Sequence, residues 1–339
     1  MCPGVKHADQ RGIQLQVREE PMQLLQLRPI QQASAQGHGA VLKFLNLDLE
    51  HRGALIVFFG KPGKGGLNVG HGSILHDLCY DSFMPYIGIN NVHLYYQSYG
   101  EDIPDRTPIV LIHGSTIDSH TDWDSVAPAL ATHYKVFTPD CRGHGRSNNP
   151  RMSYSFKELS DDIAAFVRTL GYEKAHIIGH SNGGNVALVT AVEHPEVTQT
   201  CIPQAANAYV TRYLIEREPK VFDPERVARE APEWRDEMIA LHGEVNGKEY
   251  WRDLLWLTMK EILSEPNYSP ADLARVNVPM LVIMGADDPV NAPDKHAQYI
   301  AKHVPNAELW IPEQTGHNVH HERKDEWLVK VLDFLKRRG

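Results

Sequence analysis

Along most of the chain, short apolar runs alternate with longer stretches in which apolar residues return every third or fourth position. In VHLYYQSYG, at residues 92–100, polar and apolar side chains alternate as on a half-solvated strand. IVLIHG at 109–114 and YKVFTPD at 134–140 are apolar runs of strand length, with a helical stretch predicted between them at 123–132. SFKELSDDIAAFVRTLG, at 155–171, reads as an amphipathic helix, with Ser155 and Glu158 at capping-box spacing and Gly171 as its stop. AHIIG (175–179) predicts the next strand, and NGGNVALVTAVEHP (182–195) the helix after it. Later come a strand near 200–203, PMLVIMG at 279–285, a helix near 293–303, AELWI at 307–311 and a last helix at about 322–336.

Strands alternating with helices specify the α/β class, a mostly parallel sheet flanked by helices. One interval breaks the rhythm. Residues 206–272 read as helices and loops, which predicts a helical cap inserted above the carboxyl ends of the strands, where open α/β sheets place their ligands. The regular pattern occupies residues 84–339. Residues 1–83 read instead as an irregular, flexible extension that carries no catalytic residue. Its glycine cluster GKPGKGGLNVGHG (60–72) lacks the GK[ST] ending of a phosphate loop, so no nucleotide site is expected there.

Composition narrows the partners. Apolar residues at 42% and charged residues at 23% suit a globular protein. The 34 basic and 43 acidic residues give a formal net charge of −9, which speaks against nucleic acid as a partner. The four cysteines, Cys2, Cys79, Cys141 and Cys201, form no CxxC pair, so neither zinc nor a disulfide framework is expected. No signal-peptide core opens the sequence, and the longest early apolar run, residues 54–59, is too short to span a bilayer. The expectation is a cytoplasmic protein with no membrane partner and no cofactor; oligomeric state is not readable.

The chemistry gathers at IIGHSNGGN. Gly179, Ser181 and Gly183 form G-x-S-x-G between a predicted strand and a predicted helix, the context of a nucleophile elbow. A serine needs a base to take its proton and an acid to orient that base, in the chain order serine, acid, histidine for this topology. Asp287 and Asp288 lie just beyond the strand at 280–284, and His317 follows Gly316 beyond the strand at 307–311. HNVHHE also raises a metal reading, since His317, His320 and His321 would share a helical face, but a catalytic His317 has to sit on a loop.

With LIHGS (111–115), DCRGHGRS (140–147), GHSNGG (179–184), GADDPV (285–290) and GHNVHHE (316–322) in this order, the sequence resembles the α/β-hydrolase superfamily, in particular its serine-esterase-like members with a helical cap. The resemblance covers residue 84 to the C-terminus. It implies a catalytic triad of Ser181, Asp288 and His317, with Asp287 as the alternative acid. It further implies an oxyanion hole made by the backbone amides of Ser115 and Asn182, a structural role for His113, and a structural loop at DCRGHGRS. The implied function is hydrolysis of small apolar or aryl carboxylic esters through an acyl-enzyme. Lactonase, carbon–carbon bond hydrolase, perhydrolase and amidase activities are alternatives for the same triad, and a non-catalytic small-molecule binder is the alternative from another class. Tyr209, Tyr213, Phe222, Trp234, Tyr250, Trp251, Trp256 and Tyr268 of the cap are candidates to line the pocket, although most are expected to hold the cap together.

Overall fold

The computed structural model describes residues 85–338 except residue 105, together with the backbone of two strands, β1 (Val41–Leu49) and β2 (Arg52–Gly60). These two pair antiparallel, with Leu49 opposite Arg52, in a region where the sequence reading assigned no element. The alternation LNLDL at 45–49 is the signal it passed over. The rest of the predicted extension, including the glycine cluster after Gly60, lies outside the described residues. The chain divides into two units, Met1–Tyr86 and Ile87–Gly339.

The second unit carries an eight-stranded sheet. Its strands are β3 (Tyr86–Ile89), β4 (Val92–Tyr99), β5 (Ile109–Ile112), β6 (Val136–Pro139), β7 (Ala175–His180), β8 (Thr198–Gln204), β9 (Met280–Ile283) and β10 (Ala307–Trp310), in the spatial order β10-β9-β8-β7-β5-β6-β4-β3. From β6 to β10 every pairing is parallel, and β4 adds antiparallel to β6. β5 is buried along its whole length because both faces are covered. Val110 and Ile112 point into one core with Phe156, Phe166 and Val186, while Ile109 and Leu111 point into the other with Trp123, Trp327 and Phe334.

The helices follow from equally local causes. α3 (Phe156–Thr169) starts where the Ser155 hydroxyl accepts from the Glu158 amide, and it ends before Gly171 at φ +86°. The single helix expected at 123–132 is instead two, α1 (Ser119–Trp123) and α2 (Ala127–Leu130). Pro128, at the start of α2, has no N–H to continue the earlier ladder, and Val126 leaves helical geometry at φ −120°. α4 (Asn182–Glu193) follows β7 directly.

The loop after β6 carries DCRGHGRS and is tied inward. Arg142 donates from Nε and Nη2 to the two carboxylate oxygens of Asp162 in α3, at 2.7 and 2.8 Å, and both side chains are almost wholly buried. Asp140 accepts from the amides of Ser119 and Arg146 at 3.0 Å each. This loop is structural.

Between β8 and β9 lies the helical insertion: α5 (Arg212–Val221), α6 (Pro224–Glu230), α7 (Pro232–Asn246), α8 (Tyr250–Ser264) and the short α9 (Pro270–Leu273). It has a small core of its own around Phe222, Met238, Trp251 and Leu255. His242 of α7 pins it to the sheet's loops, accepting from the Gly145 amide at 2.7 Å and donating to the Thr116 carbonyl at 3.0 Å. The remaining helices are α10 (Ala297–His303), α11 (Val319–Glu322) and α12 (Lys324–Arg338).

Two predictions follow from this packing. Arg142→Ala leaves Asp162 as an uncompensated buried charge, so unfolding free energy should fall by roughly 3–5 kcal/mol in denaturant titration. The second concerns acid. Burial holds the imidazoles of His242 and His176 down to about 4, against an ordinary value of 6.5. Their unfolded forms therefore bind protons first as pH falls, and stability drops between about pH 6.5 and 4, by about 1.4 kcal/mol per pH unit for each histidine. An NMR titration that places either imidazole near its ordinary value would contradict it.

Candidate active site

Ser181 sits at the joint between β7 and α4 with φ 54° and ψ −117°, a conformation rarely adopted by a residue with a side chain. The glycines around it have a steric cause. A Cβ on Gly179 would collide with the Gly183 carbonyl, one on Gly183 with the Ile112 carbonyl, and one on Gly184 with the Gln204 carbonyl. Strand and helix thus pass at backbone contact, and the serine is turned out of the joint. Its amide is tied to the Gln204 carbonyl at 2.9 Å, and its carbonyl accepts from the Asn185 amide at 3.0 Å.

Asp288 and His317 come together from separate loops. His317 donates from Nδ1 to Asp288 Oδ2 at 2.8 Å, and the Asp288 side chain is fully buried. The other carboxylate oxygen accepts from the amides of Val290 and Asn291 at 2.8 and 2.9 Å, which fixes the acid's orientation. Burial pushes the Asp288 carboxyl up, but His317 and these two amides outweigh it and hold it below the ordinary aspartate range. Asp287 is exposed and makes no such contact with His317. With Nδ1–H spent on Asp288, the histidine's Nε2 is left as its acceptor.

Gly114 packs against Ser181: a Cβ there would stand 3.5 Å from the serine Cβ. Its loop is braced by His113, which accepts from the Cys141 amide through Nε2 at 2.9 Å, and by His144, which accepts from the Thr116 amide at 3.3 Å. Among the described residues the amides of Ser115 and Asn182 have no protein acceptor. The Asn182 side chain donates to the Tyr154 hydroxyl at 3.0 Å.

Ser115, Ser181, Asn182 and His317 all border one cavity of about 400 Å³ under the cap. Of the eight aromatic cap residues only Phe222 and Trp234 line it; Trp251 is buried in the cap's own core, and Tyr213 and Trp256 face solvent. The cavity is less apolar than the sequence suggested. Arg217 and Glu218 of α5 reach it as an ion pair, and Asn185 and Asn207 line it beside them. Burial raises the Glu218 carboxyl, opposed by Arg217 and by His317.

Several supporting residues were not singled out in the sequence. Glu322 accepts from the Gly316 amide at 2.7 Å and the Asn318 amide at 3.1 Å, bracing the His317 loop on both sides. Asp122 is buried beneath His180, the residue before the serine. The metal reading of the histidine cluster takes a different form in the structure. His317 turns to Asp288, and the group close enough to share an ion is Asp122, His320 and His321. Asp122 already accepts from Gly114, His180 and His320, and His321 Nδ1 lies 3.1 Å from the Ser125 hydroxyl, so the set is spent on the protein. No helix among the described residues is long and apolar enough to cross a membrane.

Residues 109–331 match the alpha/beta hydrolase family. The chain is 30% identical over 261 residues to the serine hydrolase BPHL of Mus musculus, spanning 74% of this chain and 85% of that protein. It is 26% identical to the 2-hydroxy-6-oxo-6-(2'-aminophenyl)hexa-2,4-dienoic acid hydrolase of Metapseudomonas resinovorans, spanning 68% and 85%. Among solved structures, the enol-lactonase of Burkholderia xenovorans LB400 superposes with a TM-score of 0.61 at 22% identity, over 74% of this chain and all of that one, a likeness of fold.

Proposed function

We propose that this chain, which belongs to the alpha/beta hydrolase family, is a serine hydrolase that cleaves small carboxylic esters through an acyl-enzyme. The observation that carries the reading is the hydrogen bond from His317 to the buried Asp288 carboxylate, at the rim of the cavity that holds Ser181. Ser181 attacks the ester carbonyl while His317 Nε2 takes its proton, and Asp288 stabilises the imidazolium that forms. The amides of Ser115 and Asn182 receive the oxyanion, and their donors cost no reorganisation because the loops already hold them. His317 then returns the proton to the leaving alcohol, and water, deprotonated by the same imidazole, releases the acid.

The cap sets the substrate. Leu214, Val221, Phe222, Trp234 and Ile262 form an apolar wall, where burial contributes roughly 25 cal/mol per Å². A short acyl or aryl group suits a cavity of about 400 Å³. A second reading, hydrolysis of a lactone or a carbon–carbon bond by the same triad, draws on Arg217, whose guanidinium borders the cavity and could meet a substrate carboxylate. Relatives named as a dienoic acid hydrolase and an enol-lactonase support keeping it.

Ser181→Ala should lower kcat by about 10⁶. Asp288→Asn should lower it by about 10⁴, because the imidazole loses its orienting acceptor, while Asp287→Asn stays close to the parent. Steady-state kinetics that place the larger loss at Asp287 would reassign the acid. For substrate class, kcat/KM should peak among p-nitrophenyl esters of short to medium chain and aryl esters. Activity that rises steadily into long chains points to a lipase, and activity confined to lactones or dienoates points to the second reading.

A further inference from the structure

We propose that Asp122 is a positioning residue that locks three segments of the active site to one another through a single buried carboxylate. The proposal rests on the reading of Ser181 and His317 as nucleophile and base. Asp122 lies in α1 and is 2% exposed. Its Oδ2 accepts from the Gly114 amide at 2.9 Å, in the loop that ends at Ser115. Both oxygens lie 3.1 Å from His180 Nδ1, on the residue that precedes the nucleophile. Its Oδ1 accepts from His320 Nε2 at 3.1 Å, three residues beyond the catalytic histidine and in the helix that continues its loop.

The proton on His320 is fixed by a chain of donors. The Trp327 indole can only donate, and it does so to Gln204 Oε1 at 2.7 Å. The Gln204 amide nitrogen must then donate to His320 Nδ1, also at 2.7 Å, which leaves His320 Nε2 carrying its proton toward Asp122. Three N–H groups, from the loop after β5, the end of β7 and α11, therefore converge on one anion. Burial pushes the carboxyl up, yet His180 and His320 hold it well below the ordinary range, consistent with its serving only as an acceptor.

The geometry makes each loop's position depend on the others. Gly114 fixes the oxyanion amide of Ser115, and His180 fixes the entry into the strained Ser181. His320 packs beside His180 with ring centroids 4.7 Å apart and planes tilted by 55°, and the His180 ring centroid lies 5.1 Å from that of His317. An asparagine at 122 presents one acceptor oxygen and an amino group to three donors, so at least one of the three charge-assisted contacts is lost or has to reverse its donor.

The experiment compares the wild type, Ser181→Ala and Asp122→Asn by labelling with a fluorophosphonate and by kcat per titrated active site, with melting temperature recorded alongside. In the wild type a labelling rate that vanishes in Ser181→Ala supports the nucleophile; an unlabelled wild type overturns that reading and the proposal with it. Given a labelled wild type, Asp122→Asn should label about a hundredfold more slowly and lose a similar factor in kcat per site, with KM within about threefold, the scale of losing one oxyanion donor. Wild-type rates per titrated site, or a loss confined to melting temperature and to the titratable fraction, overturn the proposal. If Asp122→Asn does not fold, His320 supplies the test. His320→Gln keeps an N–H toward Asp122 and should label near the wild-type rate, whereas His320→Leu should be at least about tenfold slower. Equal rates for the two overturn it.

Discussion

The rest of the structure is arranged around one close approach. Where β7 turns into α4 there is no room for a side chain at Gly179, Gly183 or Gly184, and the backbone at Ser181 is held in a conformation it would not choose. Such strain persists only if its surroundings over-determine it. The Ser181 amide is bonded to β8, its carbonyl to the first turn of α4, and its predecessor His180 to Asp122. The parallel sheet supplies the surroundings, because it delivers the ends of β5, β7, β8, β9 and β10 to one edge.

What the sequence discloses about this arrangement depends on whether the signal is local. Strands such as IVLI and AHIIGH announce themselves by apolar runs, and the elbow by its glycines, since both are consequences of backbone neighbours a few residues apart. The stretch 123–132 was read as one helix because apolar spacing outweighed one proline, whereas the helices run 119–123 and 127–130. The pair β1 and β2 was missed among glutamine- and glycine-rich neighbours. At the site, chain order left Asp287 and Asp288 open beside His317 and the family resemblance favoured Asp288; the structure sets His317 2.8 Å from Asp288. Asp122 could not be found that way. Its partners stand 8, 58 and 198 residues away, and nothing in a single sequence joins such positions until the sheet brings them together.

The cavity shows the same limit from the other side. Aromatic content forecast an apolar pocket, but a residue type does not say which way a cap helix presents it. Trp251 went into the cap's core and Trp256 into solvent, while Arg217 and Glu218 came inward as a neutralised pair. Burying such a pair is favourable only when each charge is answered, and the two neighbours answer one another.

The cap's separate core bears on how such a protein diverges. Phe222, Met238, Trp251 and Leu255 pack among themselves and not with the sheet. Substitutions that reshape the ceiling of the cavity are therefore absorbed inside the insertion, while the floor that carries Ser181 keeps its own packing. Selection can explore new substrates on one side of the cavity without retuning the chemistry on the other. His242 is an exception to that independence, because one ring holds α7, Gly145 and Thr116 together. A lineage that changed its cap freely would be expected to keep that imidazole, or to replace it with another group that accepts from one backbone and donates to the next.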